Sequence, residues 1–224
     1  TRQTGGVRNF PQSHLLEDVY TYNDFSHSGG AVKLLPPTVV AGPNAPYLVT
    51  EFNGHMYPTK SYDREDIRIE HALRHARVQS ASFSNNRISG AIGWCMADYN
   101  THCDFGSGDR ICYHGVTDIF RVPKLAAAVY ASQQDYVPVL EVSSTMDIGD
   151  HPKGMRGQVY LFTNCDYVKF YKTGSVPDPF YPKKKLFPTL PHPPMTPSDF
   201  IGDALENDPN LDKTVAKLFK DVLV

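Results

Sequence analysis

Residues 47–55, with the sequence YLVTEFNGH, place an acidic residue directly after a short apolar run. A run of this kind, bounded by Pro46 before it and by Asn53 and a glycine after it, is typical of a buried strand in a parallel sheet. Because a carboxylate at the end of a buried strand loses hydration, Glu51 needs a partner or a function there. An exposed acid at a strand terminus would be the simpler explanation if Glu51 stood alone.

Short apolar runs alternate with loops and helical stretches over residues 1–132, a pattern typical of β/α units on a parallel sheet. Four strands are predicted, at residues 5–8, 18–22, 47–50 and 88–96. Residues 61–86 carry apolar residues on one helical face and acids in the first turn, so they predict a long helix. A second helix is predicted to begin at Pro123, because proline suits the first helical position.

The sequence pattern changes after residue 134. Residues 137–142 and 157–164 alternate between apolar and polar side chains, which suits an antiparallel β-sandwich. Prolines and lysines crowd residues 177–197 and indicate an extended surface crossing, after which residues 197–224 have a helical pattern. The sequence therefore predicts two domains, residues 1–134 and residues 135–224.

Composition and charge exclude several classes of partner. The 224 residues are 41% hydrophobic and 12% aromatic, as expected of a globular chain, and the formal net charge of −2 gives no basic field for nucleic acid. No apolar run approaches the roughly 20 residues that span a bilayer, and the chain does not open with a signal peptide, so no membrane partner is expected. The four cysteines have no paired short spacing, which favours a reducing compartment, here the cytoplasm, although their even number leaves a disulfide open.

The candidate site lies where parallel strands end. Asn53 and His55 follow Glu51 in the same loop, and Trp94 ends the next predicted strand. Sugar sites combine a carboxylate, an aromatic face and amide or imidazole donors, so this neighbourhood predicts a carbohydrate pocket. A single tryptophan at a strand end is more often a core residue, and Trp94 becomes a candidate only because it stands beside Glu51.

A metal site is not expected. His102, Cys103, Cys112 and His114 cluster in sequence, but structural zinc requires pairs of ligands two to four residues apart on each side, and these residues do not fit that spacing. Ordinary loop or core roles explain them better. No glycine-rich phosphate cradle and no nucleophile turn carrying serine or cysteine is present in the sequence.

Three ordered blocks carry a family resemblance: residues 50–56, residues 90–99 and residues 104–124. They resemble consecutive blocks of family 2 glycoside hydrolases, nearest the bacterial β-galactosidases. The likeness is strong over residues 1–135 and loose over the remainder. It implies the C-terminal half of a (β/α)₈ TIM barrel, about four β/α units, followed by a portion of an immunoglobulin-like β-sandwich and a helical tail.

The resemblance also implies roles for individual residues. Glu51 falls on the nucleophile that forms the covalent glycosyl-enzyme intermediate of a retaining enzyme acting on terminal β-galactosides. Trp94 falls on an aromatic wall of the sugar subsite. His55 is similar to a substrate-facing histidine, shifted by one position, and Asn53 stands in the same loop. Tyr22 and Asn23 end the second strand, where relatives have a tyrosine or an asparagine near the nucleophile.

Two departures from the family pattern limit what is carried over. The family supplies its general acid from an Asn-Glu pair, and no such dipeptide occurs in the chain. The acid and the first half of the barrel are therefore expected upstream of residue 1, which implies that the chain alone is inactive. His114 stands where some relatives have an asparagine of a monovalent-cation site, so neither that site nor a divalent-cation site is expected, and no cofactor is predicted.

Alternative functions remain open at this point. A β-glucuronidase or β-mannosidase of the same family is one alternative, although the Asn-Lys-Lys signature of glucuronidases would fall near residues 113–115, where no lysine stands. A non-catalytic carbohydrate-binding or assembly module is another. The expected partners are a β-galactoside and, to cover the open face of a half barrel, either a second copy of the chain or the remainder of a parent enzyme.

Overall fold

The parallel sheet predicted from the sequence forms around residues 47–55. A computed structural model describes residues 2–25, 32–53, 57–103, 108–146, 157–171, 179–182, 184–197 and 205–223. The strands are β1 (Tyr20–Asn23), β2 (Tyr47–Phe52), β3 (Ile88–Gly93), β4 (Tyr99–Asn100), β5 (Ile111–Cys112), β6 (Leu140–Val142) and β7 (Leu161–Thr163). The helices are α1 (Pro37–Val40), α2 (Glu65–Phe83), α3 (Leu125–Ala131) and α4 (Lys213–Leu223).

Strands β1, β2 and β3 lie side by side in that order and run parallel. This confirms the α/β class and three of the predicted strands. The predicted strand at residues 5–8 is reduced to an isolated parallel bridge between Gly5 and Val19. Two consecutive glycines offer no side chains to pack on a sheet, which explains why this segment does not form a full strand.

The long predicted helix is confirmed as α2, although it is shorter than residues 61–86. Lys60 donates its backbone N–H to the Asp63 carboxylate in a turn that precedes the helix. Glu65 and Asp66 then occupy the first turn, where the helix dipole favours acids. The second predicted helix is α3, which begins two residues after Pro123.

Two apolar clusters hold the sheet and the helices together. The first joins the sheet to α2 through buried residues of β2, β3 and the middle of α2, among them Tyr47, Val49, Ile88 and Val78. The second joins α2 and α3 to Tyr160, Phe162 and Phe187 from the later part of the chain. Residues on both sides of position 134 therefore share one core, and the predicted domain division at that position stays a prediction.

The two faces of the sheet differ in cover. Tyr47 and Val49 of β2 are buried against the helical layer, whereas the alternate residues of the sheet point the other way. On that second face the Leu48 side chain lies beside Gly90, and Ile92 of β3 is 53% exposed. The described residues of the chain thus leave an apolar sheet face partly open, with no closed barrel among them.

The β-sandwich predicted for the later part of the chain stays a prediction. The described residues there contain one antiparallel pair of strands, β6 with β7. Of the helical tail expected over residues 197–224, the described residues contain α4, preceded by turns over residues 205–212, whereas residues 198–204 lie outside the described residues. In the ranges given above, no helix combines the length and apolar character that crossing a bilayer requires.

Candidate active site

Glu51 lies at the carboxyl end of β2, half buried, opposite Asn23 at the end of β1. The Asn23 side chain donates from Nδ2 to Glu51 Oε2 at 2.9 Å and to Asn9 Oδ1 at 3.0 Å. The Thr50 hydroxyl donates to Asn23 Oδ1 at 2.9 Å. Asn23 is only 7% exposed, and hydrogen bonds hold both its Nδ2 and its Oδ1. Its amide therefore fixes one oxygen of the Glu51 carboxylate.

The main chain reinforces this arrangement. Asp24, the residue after β1, donates its backbone N–H to the Glu51 carbonyl at 2.9 Å. The β1–β2 register shifts between Tyr22 and Asn23, so that Asn23 pairs with Glu51 rather than with the preceding residue. A shift of this kind redirects a side chain at a strand end, and here it brings the Asn23 amide to the carboxylate.

Trp94 follows β3, whose last residue Gly93 pairs with Phe52 of β2. Its backbone N–H donates to the Phe52 carbonyl at 2.8 Å, so Trp94 comes directly beside the strand end that carries Glu51. The side chain is 39% exposed. Its Nε1 donates to the Tyr99 hydroxyl at 3.2 Å, and the two rings meet edge to face with centroids 6.0 Å apart. The predicted juxtaposition of Glu51 and Trp94 at adjacent parallel strand ends is present.

Asn53 has an unusual environment two residues after Glu51. Its backbone adopts a left-handed conformation with φ of 66°, which asparagine tolerates better than most residues. The side chain is 6% exposed, yet neither its Nδ2 nor its Oδ1 has a hydrogen-bond partner in the described part of the chain. Leaving a buried amide unsatisfied costs about 1–3 kcal/mol, so a ligand that supplies hydroxyl groups would be stabilised there.

The remaining predicted residues differ in their placement. Tyr22 packs against the cluster around Tyr47, because neighbouring residues of a strand point to opposite faces and Asn23 takes the position facing Glu51. Burial and the nearby Asp24 raise the pKa of Tyr22. A role for Tyr22 at the sugar stays a prediction. His55 lies outside the described residues.

A buried ion pair ties together the loops beyond β2 and β3, and sequence reasoning missed it. Lys124 Nζ lies 2.6 Å from Asp98 Oδ1 and donates to the Thr59 carbonyl at 2.7 Å. Asp98 Oδ1 also accepts the Gly115 N–H at 2.9 Å. Burial raises the pKa of Asp98 against the influence of Lys124, and burial lowers the pKa of Lys124. Little in the sequence indicated this pair, because its members are charged, as surface residues are, and lie 26 positions apart.

Two histidines of α2 lie beneath the strand ends. His75 Nδ1 is 2.7 Å from the Tyr130 hydroxyl, and the His75 ring meets Phe52 edge to face. Burial lowers the pKa of His71 well below its ordinary value, with the charges of His75 and Lys124 acting in the same direction. The Tyr130 hydroxyl and His75 also fill the space where a side chain at Gly93 would stand, which accounts for glycine at the end of β3.

The cysteines and histidines that cluster in sequence lie in two separate places of the structure. Cys95, Cys112 and Cys165 are free thiols, and Cys112 Sγ lies 3.0 Å from His114 Nδ1 in the interior. Cys103 and His102 contact each other at the surface. Across the described residues, no three His, Cys, Asp or Glu side chains are grouped so as to hold a metal ion.

Sequence comparison relates the chain to known enzymes. No protein-family model matches it. A β-galactosidase of Thermoanaerobacterium thermosulfurigenes is 52% identical over 200 residues, which are 87% of this chain and 28% of that protein. A β-galactosidase of Rhizobium meliloti is 41% identical over 208 residues, 87% of this chain and 27% of that protein. The chain thus spans little more than a quarter of the length of these relatives.

Solved structures agree on the fold. An FMN-binding β-glucuronidase of F. prausnitzii L2-6 superposes with a TM-score of 0.58 at 18% identity, covering 86% of this chain and 30% of that one. A β-glucuronidase of Bacteroides uniformis superposes with a TM-score of 0.57 at 14% identity, covering 88% and 28%. At these identities the likeness concerns the fold alone.

Proposed function

We propose, for a chain that belongs to the bacterial β-galactosidases of glycoside hydrolase family 2, that Glu51 is the nucleophile of a retaining hydrolase of terminal β-galactosides. The observation that carries the proposal is the 2.9 Å hydrogen bond from Asn23 Nδ2 to Glu51 Oε2, made at the end of a parallel strand beside Trp94. Active sites of barrel enzymes lie at this end of the strands.

The carboxylate geometry suits nucleophilic attack. Asn23 restrains the Glu51 carboxylate in one plane, since its amide is itself held by Thr50 and Asn9. A restrained carboxylate can approach the anomeric carbon without first losing rotational freedom. The new ester bond forms as the glycosidic C–O bond breaks, the departing oxygen takes a proton from a general acid, and water later hydrolyses the ester with retention.

Trp94 and Asn53 supply the sugar contacts. The exposed part of the Trp94 indole offers an apolar surface for the C–H face of a pyranose ring, which is the usual role of an aromatic wall in a carbohydrate site. The unsatisfied amide of Asn53 offers a donor and an acceptor for sugar hydroxyls. From the family resemblance we also assign His55 and Tyr22 to the substrate. Glu51 attacks the anomeric carbon, and Asn23 orients its carboxylate.

The architecture proposed for the chain is the C-terminal half of a (β/α)₈ barrel followed by part of a β-sandwich. Support for the half barrel comes from parallel strands in sequence order, joined through α2, with one apolar sheet face partly open. The β6–β7 pair would belong to the sandwich. The general acid of the reaction would come from the missing half, since retaining hydrolysis needs a second carboxyl about 5–5.5 Å from the first.

The direct test is a hybrid enzyme. The corresponding 200 residues of a homologous full-length β-galactosidase are replaced by this chain, and hydrolysis of p-nitrophenyl β-galactoside and β-glucuronide is measured. We expect the galactoside to be the better substrate, and Glu51→Gln to lower kcat by several orders of magnitude because no nucleophile remains. Glu141→Gln, on exposed β6, is the matched control. A Glu51→Gln hybrid that keeps its activity would refute the assignment.

A further inference from the structure

We propose that Tyr99 is a positioning residue for the indole of Trp94, and that it acts as one link of a hydrogen-bonded chain from Trp94 through Cys112 to His114. The consequence for sugar affinity rests on the proposed function of Trp94. The positioning itself does not, because it follows from contacts within this chain.

The first link is a double contact between two rings. Trp94 Nε1 donates to the Tyr99 hydroxyl at 3.2 Å, while the rings stand at 88° with centroids 6.0 Å apart. An indole carries a single donor and no acceptor, so the direction of this bond is fixed. A hydrogen bond at the ring edge combined with an edge-to-face contact restricts rotation of the indole about both side-chain torsions.

The second link joins Tyr99 to the β4–β5 hairpin. Tyr99 and Cys112 are cross-strand partners, which places their side chains on the same face of the hairpin. Burial raises the pKa of Tyr99 to about 12, and the neighbouring Cys112 acts in the same direction. The phenol therefore stays protonated at neutral pH and can donate to the Cys112 sulfur while it accepts from Trp94.

The third link anchors the chain in the interior. Cys112 is 1% exposed and His114 is 5% exposed, and the Cys112 sulfur lies 3.0 Å from His114 Nδ1. In the proposed chain the Tyr99 hydroxyl donates to this sulfur, and the thiol donates to His114 Nδ1. Each donor is then used once, and the partly exposed indole is connected to a fixed, buried imidazole.

A spectroscopic test is available because Trp94 is the single tryptophan of the chain. Emission, acrylamide quenching and anisotropy are measured for the 224-residue chain and for Tyr99→Phe, which removes one oxygen and keeps the ring. We expect Tyr99→Phe to shift the emission to longer wavelength, to increase quenching and to lower anisotropy. Tyr113→Phe is the matched control, since its hydroxyl bonds to Asp109 instead.

A pair of substitutions at Cys112 separates positioning from general stability. Cys112→Ser keeps a hydroxyl that can accept from Tyr99 and donate to His114, whereas Cys112→Ala keeps neither. We expect the serine variant to retain the parent emission spectrum and the alanine variant to move towards that of Tyr99→Phe. If Cys112 acted only through packing, the serine and alanine variants would not differ in this way in their emission spectra.

Titration of the hybrid enzyme with isopropyl β-thiogalactoside gives the functional readout. Loss of one orienting hydrogen bond, about 1 kcal/mol, corresponds to about five-fold weaker binding in Tyr99→Phe. Unchanged emission, quenching and anisotropy in Tyr99→Phe would overturn the positioning role. If those signals change while Tyr99→Phe leaves the affinity of the hybrid enzyme for isopropyl β-thiogalactoside unchanged, the positioning role stands and the sugar-binding function proposed for Trp94 fails.

Discussion

Asn23 Nδ2 lies 2.9 Å from Glu51 Oε2, and the same nitrogen lies 3.0 Å from Asn9 Oδ1. Both amide protons of Asn23 are therefore used, one on a carboxylate and one on a neighbouring amide. Hydrogen bonds to charged groups contribute more than neutral ones, so the bond to Glu51 dominates the pair. The catalytic proposal makes Asn23 the residue that holds the nucleophile in place.

Replacing Asn23 tests that relationship. In the hybrid enzyme we expect Asn23→Ala to lower kcat/KM about 10–100-fold, since a hydrogen bond to a charged group contributes about 1.5–3 kcal/mol. The acid limb of the pH–rate profile should also move to higher pH, because the ionised carboxylate loses a donor. Asn9→Ala, one bond further away, should have a smaller effect. An unchanged rate and profile in Asn23→Ala would contradict the role.

The chain by itself should hydrolyse aryl β-galactosides negligibly. If the general acid belongs to the other half of the barrel, as proposed, its absence lowers the rate by about 10²–10⁴-fold, and half of the pocket would be missing as well. Release of p-nitrophenol by the purified chain is the measurement, with Glu51→Gln as the control for contaminating activity. Turnover that Glu51→Gln abolishes would show instead that the chain carries a complete site.

Lys124 should be far more important for stability than a surface charge. Lys124→Met leaves Asp98 buried without its cation. Removal of one partner of a buried ion pair lowers the free energy of unfolding by about 3–5 kcal/mol. The exposed pair of Arg64 and Asp66 provides the comparison, since Arg64→Ala should cost no more than about 1 kcal/mol. Urea unfolding measures both, and Lys124→Met combined with Asp98→Leu should recover part of the loss. Equal effects of Lys124→Met and Arg64→Ala would contradict the prediction.

His71 should make the folded chain sensitive to acid. Burial lowers its pKa well below the ordinary value of 6.5, so between the two pKa values the unfolded chain binds a proton that the folded chain does not. The stability contributed by neutral His71 is fully present above about pH 6.5 and falls as the pH falls, by up to about 1.4 kcal/mol per pH unit. Tm measured from pH 7.5 to 5.5 should drop less in His71→Leu. His14→Gln, at an exposed position, should keep the parent slope.

The partly open sheet face should drive association. Covering about 300 Å² of apolar surface at about 25 cal/mol per Å² would stabilise a complex by about 7 kcal/mol. We therefore expect the isolated chain to self-associate at micromolar concentration unless the remainder of a parent enzyme is supplied. Ile92→Lys, at an exposed position of that face, should weaken the association in sedimentation velocity runs. A monomer that is stable and well folded at these concentrations would rule out a second copy as the cover.

The sequence by itself determined the local elements and the position of the proposed nucleophile along the chain. An apolar run followed by Glu51, and helical periodicity with acids in the first turn, specify β2 and α2 through interactions between near neighbours. The ordered blocks after residue 50 indicated the family, which the relatives at 41–52% identity bear out. These properties are encoded by residues close together in sequence.

Only the tertiary structure decided which side chains meet. Whether Tyr22 or Asn23 reaches Glu51 depends on a register shift between two strands, because a shift of one residue exchanges the two faces of a strand. The Lys124–Asp98 pair and the unsatisfied amide of Asn53 likewise arise from burial among segments distant in sequence. Local patterns carry no information on such contacts, since burial and pairing are set only when the strands and helices pack together.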